Sequence, residues 1–169
     1  MSNQAKLYRL NLKQLINDLG IIVDSSNKNI IQNDERPFYL ELSVSKSFSA
    51  FIPIRTNLPH KYGFVTAQIG QGKSGLDYSK AYLVKKENTS NYLNGIKTIS
   101  SVEYKKIDKN QSLIIGNFKN FLVEFQDKIT NYTSLDYSGK RDVDYSSLQY
   151  QKSALKCCTE EIKIETSII

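Results

Sequence analysis

The stretch FYLELSVSKSFSAFIPI, Phe38–Ile54, decides the fold. Phe38, Leu40, Leu42 and Val44 fall on one face of an extended segment, and Tyr39, Glu41 and Ser43 on the other. That period of two marks a strand. Ser45–Ser47 reads as a turn, and Phe48–Ile54 reads as the returning strand of a hairpin.

Working outward, residues 6–10 (KLYRL) alternate like a further short strand. Asn11 is placed to cap a helix whose apolar face is Leu12, Leu15, Ile16 and Leu19, with Gly20 as its stop. Residues 24–36 are polar and read as a loop, and Tyr62–Ile69 reads as a strand. A glycine-rich loop is expected over 70–75, and another strand within Leu76–Val84. Residues 87–95 read as a turn or loop, and 96–107 fit no single pattern. Ile114, Phe118, Phe121, Leu122, Phe125 and Ile129 step by three and four, the spacing of an amphipathic helix that starts near Asn110 or Ser112. A second helix is expected near Tyr145–Cys158, followed by an edge strand or tail. The sum is α+β: one domain over residues 1–169, with a strongly curved antiparallel sheet and helices packed against it.

Composition narrows the function. The 169 residues are 40 % hydrophobic and 24 % charged, the balance of a folding chain. No apolar run reaches membrane-spanning length, and the opening MSNQAKLYRL has no signal-like apolar core, so the cytoplasm is expected. Lysine and arginine exceed acidic residues by 23 to 17, which favours anionic partners, nucleic acid first. One histidine and the adjacent pair Cys157 and Cys158 do not make a zinc site, and no metal or cofactor is expected. Ala67–Ser74 (AQIGQGKS) ends like a nucleotide phosphate loop but carries Ala67 where that motif needs glycine.

The chemistry gathers just past the hairpin, in IPIRTNLPHKY, Ile52–Tyr62. Pro53 and Pro59 restrict the backbone around Arg55, Thr56, Asn57, His60 and Lys61. RNA phosphoryl transfer needs a group to take the 2′-hydroxyl proton, another to protonate the departing 5′-oxygen, and positive donors at the phosphate. Those five residues are the catalytic candidates, with the division of roles among them open. A rigid turn with a surface histidine is the plainer alternative.

The succession RPFYLELSV (36–44), FIPIRTNLPHKY (51–62) and GLDYSKAYLV (75–84) resembles the toxins of type III toxin–antitoxin systems. It looks closest to the TenpN branch, related to the ToxN, CptN and AbiQ toxins. The resemblance extends into the helix around 112–130 and Ser147–Tyr150. It implies a Kid- and MazF-like fold and a metal-independent endoribonuclease that leaves a 2′,3′-cyclic phosphate and a 5′-hydroxyl. It also implies an RNA antitoxin: a repeat array cut by the toxin into pseudoknotted units that occupy its groove, in cyclic protein–RNA assemblies. Growth arrest and abortive phage infection are the implied roles, with cellular or phage RNA as substrate.

The best-studied branch carries a threonine–serine pair after a proline and then a lysine. The matching positions here are Pro53–Asn57 with Lys61 farther on, and Thr56 or Asn57 stands where that serine would be. Arg36 stands where the branch has a lysine, and Tyr39 is the nearest counterpart of a branch tyrosine. Ser79 and Lys80 are expected to approach the RNA, with Asp77 orienting His60 or Lys61. Tyr78, Lys73, Lys85, Lys86, Lys105 and Lys106 complete the RNA-binding candidates. A noncatalytic RNA-binding module, or a protein-interaction domain with incidental charge, would not need Arg55, His60 and Lys61 together.

Overall fold

A computed structural model describes residues 4–23, 38–96 and 98–168. The strands are β1 (Leu7–Leu10), β2 (Tyr39–Ser43), β3 (Phe48–Arg55), β4 (Gly63–Ile69), β5 (Gly72–Asp77), β6 (Tyr82–Lys85) and β7 (Leu93–Ile96). The helices are α1 (Leu12–Asp18), α2 (Ser101–Lys109), α3 (Gln111–Thr130), α4 (Tyr137–Asp144) and α5 (Lys152–Ser167). The fold is α+β, built on a seven-stranded antiparallel sheet ordered β4-β5-β3-β2-β1-β7, with β6 also paired to β3.

The hairpin stands at the centre. β2 and β3 pair from Tyr39↔Pro53 to Ser43↔Ser49. One face of this pair carries Leu40, Leu42, Ala50 and Ile52, which meet Ile107 of α2, Ile114, Phe118 and Leu122 of α3, Val143 of α4 and Leu155 of α5. The opposite face is buried as well. Tyr39, Phe51 and Tyr82 pack with Leu12, Leu15 and Ile16 of α1 and with Tyr92. The sheet is therefore covered on both sides, and Tyr39 belongs to the second core instead of a polar surface.

Several elements differ from the sequence reading. The glycine-rich segment is mostly strand: Gly70, at φ 59°, turns the chain, and Lys73 and Ser74 lie in β5. It leads into a strand, not the helix that a nucleotide phosphate loop requires. Residues 86–92 wind into a 3₁₀ helix before β7, and the ambiguous segment beyond Ile99 is α2, capped by Ser100, whose Oγ accepts from Glu103 N. Residues 160–167, expected as an edge strand or tail, continue α5, with Ile162 buried. The helix expected from Tyr145 is split: a 3₁₀ turn covers Ser147–Tyr150 and α5 starts at Lys152.

One irregularity positions the site. β5 and β6 both run beside β3, but Ile54 pairs with Leu76 whereas Phe51 pairs with Tyr82. Two residues of β3, Ile52 and Pro53, thus face the five residues 77–81. The surplus folds into a 3₁₀ turn, Tyr78–Lys80. Ile54 N–H donates to Phe38 O on the β2 side, so by strand alternation the Pro53 nitrogen points to the broken side. Proline has no N–H to lose there. The carbonyls freed by the break are satisfied from behind. Ser146 Oγ donates to Ser79 O at 2.7 Å, and Ser147 Oγ to Ala81 O at 2.9 Å. Gln151 bridges, donating to Ala81 O at 3.1 Å and accepting from Leu83 N at 2.7 Å. Buried backbone groups need such partners, which explains why this polar segment is buried beneath the sheet.

Candidate active site

The strand break turns Asp77 into the hub of a polar cluster. Asp77 is 0 % exposed. Its Oδ2 accepts from Arg55 Nη1 at 2.9 Å. Its Oδ1 accepts from Ser79 Oγ at 2.6 Å and Ser79 N at 3.0 Å, and lies 3.2 Å from His60 Nε2. Burial acts to raise the Asp77 carboxyl, but the bonds from His60, Ser79 and Arg55 outweigh it and hold the group below the usual carboxylate range. The cluster joins three elements: the end of β3, the prolyl loop 56–62 and the 3₁₀ turn.

The prolyl loop is braced at both ends. Leu58 is buried, and its N–H donates to Lys73 O at 2.8 Å. His60 Nδ1 accepts from Tyr62 N at 3.1 Å. That bond assigns the imidazole lone pair to Nδ1 and the proton to Nε2, which faces Asp77 and the Ser79 hydroxyl, 3.1 Å away. Ser79 gives its proton to Asp77 while the histidine lone pair faces a backbone amide, so the trio lacks the base–hydroxyl pairing of a serine nucleophile.

Below the cluster lies Lys80, 7 % exposed, whose ammonium donates to Tyr145 O. Burial lowers its pKa to about 8, against the pull of Asp77. Beside the loop, Tyr62 OH donates to Asp142 Oδ2 at 2.6 Å, and Lys128 Nζ donates to the same oxygen at 2.8 Å. This trio ties the loop to α3 and α4. The Lys61 ammonium stands 5.4 Å from the Tyr62 ring centre, on the open side of the loop. Around the loop, Arg55, Lys61, Lys80 and Lys128 face Asp77, Asp142 and Glu124, a narrow positive excess at the rim.

The structure separates the sequence candidates. Arg55 and His60 meet at Asp77 and Ser79 bonds to it, while Lys80 lies beneath with its ammonium on Tyr145 O; Ser79 and Lys80 are both buried in a turn instead of lining a strand surface. Thr56, Asn57 and Lys61 are exposed on the loop. Tyr78 is buried, and burial pushes its hydroxyl up to about 12. Tyr39 is sealed in the second core with its ring 6.2 Å from Tyr82, so the expectation that it contacts RNA is corrected. Lys85 pairs with Phe48 at the far end of β3, seven residues from Arg55, or roughly 23 Å at strand rise. Lys86 follows it, and neither shares the cluster. Lys105 and Lys106 lie on α2, where Lys106 covers the Phe64 ring at 5.8 Å, and Lys73 is exposed on β5. Arg36 lies outside the described residues.

Sequence reasoning missed Tyr62, Lys128 and Asp142 as one unit. Their separation in the chain leaves no local signal, and only the packing of α3 and α4 on the sheet brings them together. Among the described residues no three His, Cys, Asp or Glu side chains are grouped to hold a metal ion, and no helix is long and apolar enough to cross a membrane.

No family model matches this chain. No curated protein and no solved structure matches it either.

Proposed function

We propose that the chain is a metal-independent endoribonuclease of the type III toxin kind, with a Kid- and MazF-like fold. It cuts RNA by 2′-hydroxyl attack, processes its own repeat RNA, and is inhibited by the product. The observation that carries this reading is the gathering of Arg55 and His60 on the buried Asp77, with their side chains still 35 % and 27 % exposed beside Lys61. In the proposed reaction the 2′-oxygen loses its proton and bonds to phosphorus, and the 5′-oxygen leaves and is protonated. Arg55 donates to the phosphate oxygens as charge builds on them. Lys61 gives a proton to the departing 5′-oxygen, and His60 takes the 2′-proton at Nδ1 once RNA draws that nitrogen from the Tyr62 amide. Asp77 is a positioning residue: it fixes the guanidinium and the imidazole and remains out of reach of the phosphate. Lys80 adds charge from beneath. Growth arrest and phage abortive infection, in closed toxin–RNA assemblies, belong to the same reading.

A second reading has one observation in its favour. Both His60 nitrogens are engaged, Nδ1 by Tyr62 N–H and Nε2 by Asp77 and Ser79, which suits a structural histidine in a noncatalytic RNA-binding module. Incubating wild type and the variants Arg55→Ala, Thr56→Ala, His60→Ala and Lys61→Ala with the repeat RNA in EDTA separates the two. Cutting that Arg55→Ala and His60→Ala abolish, with RNA affinity kept, supports catalysis. Binding without cutting by the wild type supports the module.

A further inference from the structure

A cleft of about 240 Å³ opens beside the proposed cleavage site. Its floor is aromatic: the partly exposed Tyr62 packs on Phe121 at 5.6 Å between ring centres, with the buried Tyr78 5.9 Å from Phe121 beneath. Tyr62 lies two residues past His60 in the chain, and Tyr78 directly precedes Ser79, so the floor and the Asp77 cluster share one backbone frame. The wall facing them is a polar stripe on α3. Asn117, Asn120 and Glu124 step by three and four, which puts them on one helix face, and all three are exposed. Lys61 closes the rim.

This combination differs from a core gap and from a plain solvated face. The volume is below that of an ordinary small-molecule pocket and suits one ring system. Sequence-selective RNA recognition takes an unstacked base, sets it against aromatic rings and reads its edge with polar side chains. The two carboxamides can donate or accept, but the Glu124 carboxylate only accepts. An acceptor-only group favours a base edge that carries an exocyclic amino group and disfavours uracil, whose single imino donor sits between two carbonyl acceptors.

We propose that this cleft is the base-selecting subsite of the enzyme, and that it holds one unstacked, amino-bearing base next to the scissile phosphate while excluding uracil. The proposal rests on the nuclease reading for its place beside the chemistry, but its test needs no cleavage. The four 2′-O-methyl homotrinucleotides of A, C, G and U lack the attacking hydroxyl. They are titrated into the intact protein, with binding read by fluorescence anisotropy and by the side-chain amide signals of Asn117 and Asn120 in NMR spectra.

The expected result is that the uridine trimer binds at least tenfold more weakly than the tightest of the other three. The tightest trimer shifts both asparagine amides. Glu124→Gln, which restores a donor, narrows the gap at least threefold, and Asn117→Ala with Asn120→Ala lowers the tightest affinity at least fivefold. All three positions are exposed, and alanine and glutamine favour helix over asparagine or equal glutamate, so the variants keep the fold. Equal affinity for all four trimers within twofold overturns the proposal. So does tightest binding by uridine, or a preference that Glu124→Gln and the asparagine variants leave unchanged. Failure of the nuclease reading shows instead as intact RNA in the EDTA assay, whatever the trimers do.

Discussion

Replacing Asp77 by Asn keeps the shape of the hub and removes its charge. Asp77 accepts from Arg55 at 2.9 Å and from Ser79 at 2.6 and 3.0 Å, and lies 3.2 Å from His60. A hydrogen bond to a charged group is worth about 1 kcal/mol more than a neutral one. Arg55 and His60 are partly exposed and screened, and the neutral amide regains some of the carboxylate's desolvation cost, so the sum is discounted to about 2 kcal/mol at pH 7. The pH dependence follows from the sign of the shift. The folded Asp77 carboxyl lies below its ordinary 3.8. Its contribution is therefore full above the unfolded value and is lost as pH falls through the folded one. Urea unfolding of wild type and Asp77→Asn at pH 7, 5 and 3 reads this directly. The gap in free energy should be smaller at pH 3 than at pH 5. Equal midpoints at pH 7, or a gap that does not change at pH 3, would refute the hub as described.

Other elements give independent tests. Lys80 is lowered to about 8 by burial, so between pH 8 and 9.5 the unfolded chain binds more protons than the folded one. Buried Cys158 and the buried tyrosines are raised and oppose this in the same range, so the stability difference of wild type over Lys80→Met is the quantity that should rise from pH 8 to 9.5 in urea titrations. Gln151→Leu strands Leu83 N inside the protein, while Ala81 O keeps its bond from Ser147 Oγ, and should cost about 2 kcal/mol, read as a lowered urea midpoint. A methyl group at Gly75 would run into the Phe64 carbonyl across the β4–β5 pair. Gly75→Ala should cost about 2 kcal/mol, seen as a lower thermal midpoint.

The sequence made some layers legible and hid others for physical reasons. The β2–β3 hairpin and α3 were readable because burial imposes a short-range period on them: Leu40 and Leu42 against Ala50 and Ile52, and Phe118 against Leu122 and Phe125. The burial of Tyr39 was not readable, because the alternation shows which face a residue takes but not that α1 and Tyr92 cover that face. The break at Tyr78–Lys80 was hidden too. Its cause is a register mismatch between two neighbours of β3, a property of pairing instead of local pattern. In the site, Arg55 and His60 stood out because Arg55 lies between Pro53 and Pro59 and His60 directly follows Pro59. The gathering of Tyr62, Lys128 and Asp142 depends on three separate elements and left no trace in spacing.

The proposed RNA cleavage rests on Arg55 and His60, held by Asp77. Its most direct measurement is mass spectrometry of the ends produced when a single-stranded repeat RNA is incubated in EDTA with wild type, Arg55→Ala and His60→Ala. The wild type should leave 2′,3′-cyclic phosphate and 5′-hydroxyl ends, and each variant, with its fold intact, should cut at least a hundredfold more slowly. Uncut RNA with the wild type, 5′-phosphate ends, or full activity in both variants would contradict it.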